Sequence, residues 1–266
     1  MGGVISVHSS RGGTGKSLIS ANLAVILARR GRDVSLLDLD FRAPSLSTIF
    51  RAGDYRLVEH WTNDLLTGRC PVERVMIDLT ERYGTKGRLL VGLANPSLDA
   101  IREMMAMSRE QEMEALRRLL ALRRTLTGGM EMDHVIYDTS PGIQYPSINA
   151  VVSSDISLVV TTLDALDVEG VRHMLTELYD AFGKKSVILV NKVFPGDHPW
   201  PDKKREELLQ QLGATFNRPI LAMIPCYCDV LQADRTTIFA LENPDHPFTG
   251  ALREVAERLE RVSPPP

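Results

Sequence analysis

The stretch from Val4 to Ser17, Val-Ile-Ser-Val-His-Ser-Ser-Arg-Gly-Gly-Thr-Gly-Lys-Ser, constrains the fold more than any other part of the chain. Val4 to Val7 is short, apolar and β-branched, as a buried strand is. It runs into a loop containing Gly12, Gly13 and Gly15, and Lys16-Ser17 then opens a helix. Glycines let several backbone N–H groups converge on one anion, and the helix N-terminus adds partial positive charge. Such a loop cradles phosphate, with Lys16 reaching the β/γ phosphates and the Ser17 hydroxyl on Mg²⁺. In the ligand-free fold Lys16 is expected at the surface. The strict G-x-x-x-x-G-K-[ST] spacing has Ser10 in place of its first glycine, so the loop is a variant. An ordinary glycine-rich strand-to-helix turn is the plainer alternative.

The rest of the chain repeats the pattern of apolar run and helix. Leu18, Ala21, Asn22 and Val25 follow a helical period that ends at Gly31. Val34 to Asp38 is a second buried strand, which makes a βαβ unit with parallel strands. Its end carries Asp38-Leu39-Asp40, and ligands of open parallel sheets sit beyond the carboxyl ends of strands. Residues 46 to 85 are the hardest to read, with short helices expected at Val58–Leu66 and Val72–Leu79. A strand is expected at Arg88–Leu93, and a capping box at Ser108-x-x-Gln111 should open a helix reaching Leu126. Asp133 to Gly142 reads as the next strand and its loop, with Asp138 at the strand end as the expected Mg²⁺-side partner of a phosphate loop. Strands at 156–162, 186–191 and 219–224 alternate with helices at 167–182, 202–212 and 246–261. The fold class is therefore α/β, a doubly wound and mostly parallel sheet flanked by helices.

Composition sets the outer bounds. The 266 residues, 44% hydrophobic, suit one large domain over residues 1–262, with 263–266 as a frayed tail. A net charge of −3 argues against a DNA-coating surface and leaves room only for a local basic patch. Three cysteines and no signal peptide ahead of Val4 point to a reducing, cytoplasmic compartment.

With these pieces in order, the chain resembles the MinD/ParA class of P-loop ATPases, which carry a deviant Walker A motif, over nearly its whole length. The class loop K-G-G-x-G-K-[ST] stands here as Arg11-Gly12-Gly13-Thr14-Gly15-Lys16-Ser17. Its D-x-D switch matches Asp38-Leu39-Asp40, and its D-[ST]-x-[PA]-G switch matches Asp138 to Gly142. The resemblance implies ATP and Mg²⁺ as ligands and an ATP-dependent homodimer that hydrolyses slowly, aided by an activating or cargo protein. It implies that Gly12, Gly13, Thr14, Gly15, Lys16, Ser17 and Leu18 bind phosphate, with Ser17 on Mg²⁺. Asp40 would position the attacking water, Asp38 would support Mg²⁺ or Lys16, and Asp138 would hold a metal-bound water. Asn191 would read the adenine edge and the Pro225 loop would cover the ring. On its residues alone, Asp40 could instead cap a helix before Pro44-Ser45, and Asn191 could simply form a turn. Arg11 replaces the class lysine that reaches a facing subunit's phosphates; it keeps the charge and adds a planar fork.

Several other features point elsewhere or nowhere. Phe41 to Leu46 also resembles the segment after D-x-D in bacterial tyrosine kinases, but the Ser-Pro-Pro-Pro end lacks their tyrosines. Cys226-Tyr227-Cys228 raises a metallochaperone or iron–sulfur carrier alternative, against two plain loop cysteines. Met104, Met105 and Met107 fit either a partner surface or buried packing. The final helix is amphipathic but charge-balanced, so membrane binding is poorly supported. His8 reads as a local packing residue.

Overall fold

The computed structural model describes residues 3–50, 58–194, 202–234 and 236–262, with the backbone alone at 202–204. The run Val4–Val7 lies in β1 (Gly3–His8), buried throughout, as an internal parallel strand is. The Gly-rich loop leads into α1 (Lys16–Arg29), and β2 (Val34–Leu39) completes the first unit. Then come α2 (Leu46–Ile49), α3 (Thr62–Thr67), β3 (Met76–Asp78), α4 (Thr80–Tyr83) and β4 (Leu89–Gly92). Helices α5 (Leu98–Met105) and α6 (Arg109–Arg124) precede β5 (His134–Thr139), α7 (Tyr145–Ser153), β6 (Ile156–Thr161) and α8 (Ala165–Met174). A wider turn over Leu175–Asp180 continues α8 into β7 (Lys185–Val193). The remaining elements are α9 (Asp202–Phe216), β8 (Ile220–Pro225), α10 (Cys228–Gln232), α11 (Phe239–Glu242) and α12 (Pro247–Val262).

The described strands form one sheet in the order β3-β4-β2-β5-β1-β6-β7-β8. All pairs are parallel except β3 with β4. The chain leaves β1 on one side to build β2, and returns on its other side with β6. The crevice for a ligand therefore opens at the carboxyl end of β1, where the winding reverses. Alternation along β1 divides the core. Ile5 and Val7 face the layer of α1 and α12, whereas Val4 packs with Leu119 and Leu122 of α6 on the opposite face.

Three short-range expectations meet different outcomes. The capping box is present: Ser108 Oγ accepts from the Gln111 N–H at 3.3 Å, and Gln111 Oε1 accepts from the Ser108 N–H at 2.7 Å. The helix expected at Val72–Leu79 is instead a single 3-10 turn at Val72–Arg74 followed by strand β3. Pairing with the edge of β4, Met76 opposite Gly92 and Asp78 opposite Leu90, overrides the local helical period. The helix expected from Val58 begins later, at Thr62, whose hydroxyl donates to the carbonyls of Asp38 and Leu93. The tail 263–266 lies outside the described residues.

Candidate functional site

The phosphate loop is shaped from outside as well as by its own glycines. Gly13 and Gly15 take positive φ, 86° and 96°, which only glycine adopts without strain. Two consecutive side chains at the end of β7 then brace the loop. Asn191 Nδ2 donates to the Thr14 carbonyl at 2.8 Å, and Lys192 Nζ donates to the Gly13 carbonyl at 2.6 Å. A Cβ on Gly15 would stand 2.6 Å from Asn191 Nδ2, so the brace itself requires glycine there. With these carbonyls turned toward β7, the loop's N–H groups are left for an anion. The loop forms one wall of a cleft of about 510 Å³, faced by Asp40, the turn from Arg42 to Ser45, and Pro141.

Lys16 corrects the sequence reading: it is 7% exposed, not at the surface. Asp138, at the end of β5, lies close enough to interact with its charge, and a buried ammonium is tolerated near a carboxylate. Asp138 feels that charge. Burial raises its carboxyl to about 6 and neighbouring Asp40 adds to the rise, while Lys16 and the Ser17 and Ser20 hydroxyls oppose it. Asp138 Oδ1 accepts from Ser20 Oγ at 3.1 Å. Its Oδ2 is buried with no hydrogen-bond partner among the described residues. An orphaned carboxylate oxygen beside Ser17 suits a hydrated cation, so the residues present fit Mg²⁺ held by Ser17 and, through water, by Asp138.

Asp38 and Asp40 divide their work. Asp38 Oδ1 accepts from the Asp40 N–H at 3.0 Å and Oδ2 from the Leu46 N–H at 3.2 Å. Both its oxygens thus shape the turn after β2 and the start of α2. Burial, together with Asp138 and Asp40, pushes its carboxyl well above the usual range. Asp40 does not cap α2. Its Oδ1 accepts from the Ala43 N–H at 3.2 Å and from Ser140 Oγ at 2.9 Å, which fixes the carboxylate on the cleft wall.

Beyond Gly15 and Leu18 lies a second, small space of about 30 Å³ that Asn191, Pro225, Tyr227 and Leu231 share. That is room for about one or two waters. Cys226 is partly buried and Cys228 exposed. Among the described residues no group of three or more His, Cys, Asp or Glu side chains could hold a metal ion.

Arg11 points away from the cleft. Its guanidinium lies 3.8 Å from Asp164 and 3.7 Å from Asp167 at the start of α8, and its side chain is 52% exposed. His8 is more than packing. Its Nδ1 meets the Tyr179 hydroxyl at 2.8 Å and its Nε2 the Gly142 carbonyl at 3.0 Å. A carbonyl only accepts, so Nε2 carries the proton and Tyr179 donates to Nδ1. Burial lowers the imidazole to about 4, and the Lys16 charge adds to this against the Gly142 hydrogen bond. Sequence reasoning missed Lys192, Ser140, Ser20 and Tyr179 as site residues. Ser140 stands inside the D-[ST]-x-[PA]-G segment and Lys192 beside Asn191, so their neighbours were a signal; Tyr179 offered none.

A braced Gly-rich loop at the sheet's reversal point, with a buried lysine and acids closing the far wall, defines a P-loop nucleotide-binding protein. The family model described as an AAA domain matches residues 2–187, and the chain belongs to that family, within the MinD/ParA class of P-loop ATPases. The chain is similar to the septum site-determining protein MinD of Thermotoga maritima, with 26% identity over 265 residues, 97% of this chain and 88% of that protein. An iron-sulfur cluster carrier protein of Aquifex aeolicus is likewise 26% identical over 265 residues, 97% of this chain and 67% of the carrier. Among solved structures, MinD of Pyrococcus horikoshii complexed with Mg-ADP matches with a TM-score of 0.76 at 21% identity. It covers 98% of this chain and 97% of that one, a likeness of fold. No helix among the described residues is long and apolar enough to cross a membrane.

Proposed function

We propose that this protein is a cytoplasmic, ATP- and Mg²⁺-dependent dimerising ATPase switch of the MinD/ParA type, at work in the positioning or partitioning of a cargo or partner. The observation that carries the reading is Asp40, a carboxylate fixed by Ser140 and the Ala43 N–H on the wall opposite the phosphate loop. From there it orients a water toward the terminal phosphate, while Lys16 and the loop N–H groups hold the β/γ oxygens. Mg²⁺, when bound, neutralises charge that develops on those oxygens. Asn191 keeps the loop in shape and, with Pro225, borders the space that the base would enter. Arg11, directed out of its own cleft, is available to a facing ATP-bound subunit. The test is light scattering after size exclusion, with wild type and Asp40→Ala in ADP or ATP. The reading expects an ATP-dependent dimer that persists in the variant; a monomer under all conditions overturns it.

The carrier alternative rests on Cys226 and exposed Cys228. Their loop borders the small space by the phosphate loop, and the described residues supply no third ligand nearby. A four-thiolate site would therefore need a second chain. Elemental analysis of purified protein is expected to find no stoichiometric metal; about one metal or cluster per dimer would favour the carrier.

A further inference from the structure

Successive residues at the end of β1 hold the segment that follows β5. The Val7 carbonyl accepts from Thr139 Oγ1 at 2.9 Å, and the Ser9 carbonyl accepts from the Gly142 N–H at 2.8 Å. Between them, His8 Nε2 donates to the Gly142 carbonyl at 3.0 Å, an oxygen that Ser147 Oγ of α7 also reaches at 2.7 Å. Any residue would offer the main-chain carbonyls of Val7 and Ser9; the bond from His8 depends on its side chain. Its direction is set from behind the ring. Tyr179, buried in the wide turn that ends α8, keeps its proton because burial raises the hydroxyl, and it meets Nδ1 at 2.8 Å. An imidazole that accepts at Nδ1 carries its proton at Nε2. Single π-type turns of this kind recur at functional sites.

The constraint travels along a stiff stretch. Pro141 fixes its own φ and biases Ser140 toward extended backbone. Gly142 lies at φ 76°, where other residues are strained. A displacement at Gly142 is therefore passed to Ser140, whose hydroxyl donates to Asp40 at 2.9 Å. His8 itself is fully buried and forms no part of the cleft wall.

We propose that His8 is a positioning residue for ATP hydrolysis, oriented by Tyr179, that acts through Gly142 and Ser140 on Asp40. It holds the segment after β5 so that the Ser140 hydroxyl stays on the carboxylate that orients the water. The role in turnover rests on the ATP-switch reading; the hold on the segment does not. A histidine that merely packs would contribute through its volume, whereas this one contributes a donor at one ring nitrogen. The two are separable, because glutamine can place an amide N–H near Nε2 and leucine fills similar space without one.

The experiment compares His8→Leu, His8→Gln and Tyr179→Phe in the full chain, each checked for folding by its melting curve. ATP turnover with Mg²⁺ is read as kcat and KM, and deuterium uptake over residues 139–144 is read in the nucleotide-free protein. His8→Leu should lower kcat by about threefold to tenfold with KM unchanged, the loss of one hydrogen bond. His8→Gln should return kcat to within about twofold of wild type, and Tyr179→Phe should cost about twofold by freeing the tautomer. His8→Leu combined with Ser140→Ala should be no slower than Ser140→Ala alone, since both break one path. Uptake over 139–144 should quicken in His8→Leu and stay near wild type in His8→Gln. Equal losses of kcat in His8→Leu and His8→Gln, or losses that multiply with Ser140→Ala, sink the proposal. So does unchanged uptake in His8→Leu, whether or not the chain turns over ATP. If His8→Leu does not fold, wild-type kcat in Tyr179→Phe is the result that overturns it. A wild type that hydrolyses no ATP, with uptake raised in His8→Leu and restored in His8→Gln, defeats the switch reading and supports the hold of His8 on the segment.

Discussion

The Ser140 hydroxyl donates to Asp40 Oδ1 across 2.9 Å, tying the turn after β2 to the loop after β5. The two switch segments therefore share one hydrogen bond at the wall of the nucleotide cleft. Asp40→Ala should still bind ATP and Mg²⁺ but hydrolyse on the order of 100-fold more slowly, because the phosphate grip remains and the water loses its orientation. Ser140→Ala should lower kcat less, by about tenfold, with KM unchanged. Single-turnover assays with both variants check this. Hydrolysis at the wild-type rate in Asp40→Ala would reduce that carboxylate to a turn former.

Lys16 is buried and its charge acts on Asp138, so its removal should act twice. Lys16→Ala should cost about 2–5 kcal/mol of ATP binding, since the phosphates lose their enclosed cation. The fold should persist with a lower melting temperature, because Asp138 and Asp40 then face each other without the ammonium. Isothermal titration and a melting curve, run together, separate the two effects. Unchanged ATP affinity would reject the phosphate-loop reading.

Arg11 should complement in trans. In the single chain it is held by Asp164 and Asp167, exposed contacts worth about 1 kcal/mol or less and easily exchanged for a stronger anion. A facing subunit's phosphates would supply that anion, and a trans arginine contributes on the order of 10³-fold in rate. Arg11→Ala and Asp40→Ala, each strongly slowed alone, should regain turnover when mixed, because one site then has an intact Asp40 and receives Arg11 from the other chain. Mixed dimers that stay inactive would leave Arg11 as a surface ion pair.

His8 makes a stability prediction with a defined sign. Folding lowers it from 6.5 to about 4, so between those pH values the unfolded chain binds the extra proton and stability rises with pH. At full extent this is about 3 kcal/mol. The groups facing the ring are Tyr179, hydrogen-bonded to it, and the charge of Lys16. Asp138 works the other way, since its rise from 3.8 to about 6 makes the folded state hold the proton and stability fall as pH rises. Asp38, also raised, adds to that opposing slope, so the His8 contribution is read as the difference between wild type and a His8 variant. His8→Gln should be relatively most stable at the acid end and lose ground toward pH 6.5, read from denaturant midpoints. An unchanged slope would mean that His8 titrates as it does in the unfolded chain.

The fold was legible because most of the sheet-forming runs announce themselves by composition. Val4–Val7, Val34–Asp38 and His134–Thr139 are buried apolar stretches between glycines and caps, and each becomes a parallel strand. The 72–79 segment was not legible, because β3 is held by its partner β4 and not by its own pattern. In the site, residue types and spacing pointed to Lys16, Asp40 and Asp138 without their geometry. Lys16 is buried near Asp138, an acid from a distant strand, which no local pattern contains.

The brace from β7 has a consequence for how the protein is made. Asn191 and Lys192 hold carbonyls that lie 177 and 179 residues earlier in the chain. A nascent polypeptide that has emerged only as far as β6 carries the complete glycine motif but not the side chains that set its shape. Competence for nucleotide is thus acquired late in synthesis, when the strand bearing Asn191 joins the sheet. A truncated product ending before that strand would not compete with the finished protein for ATP.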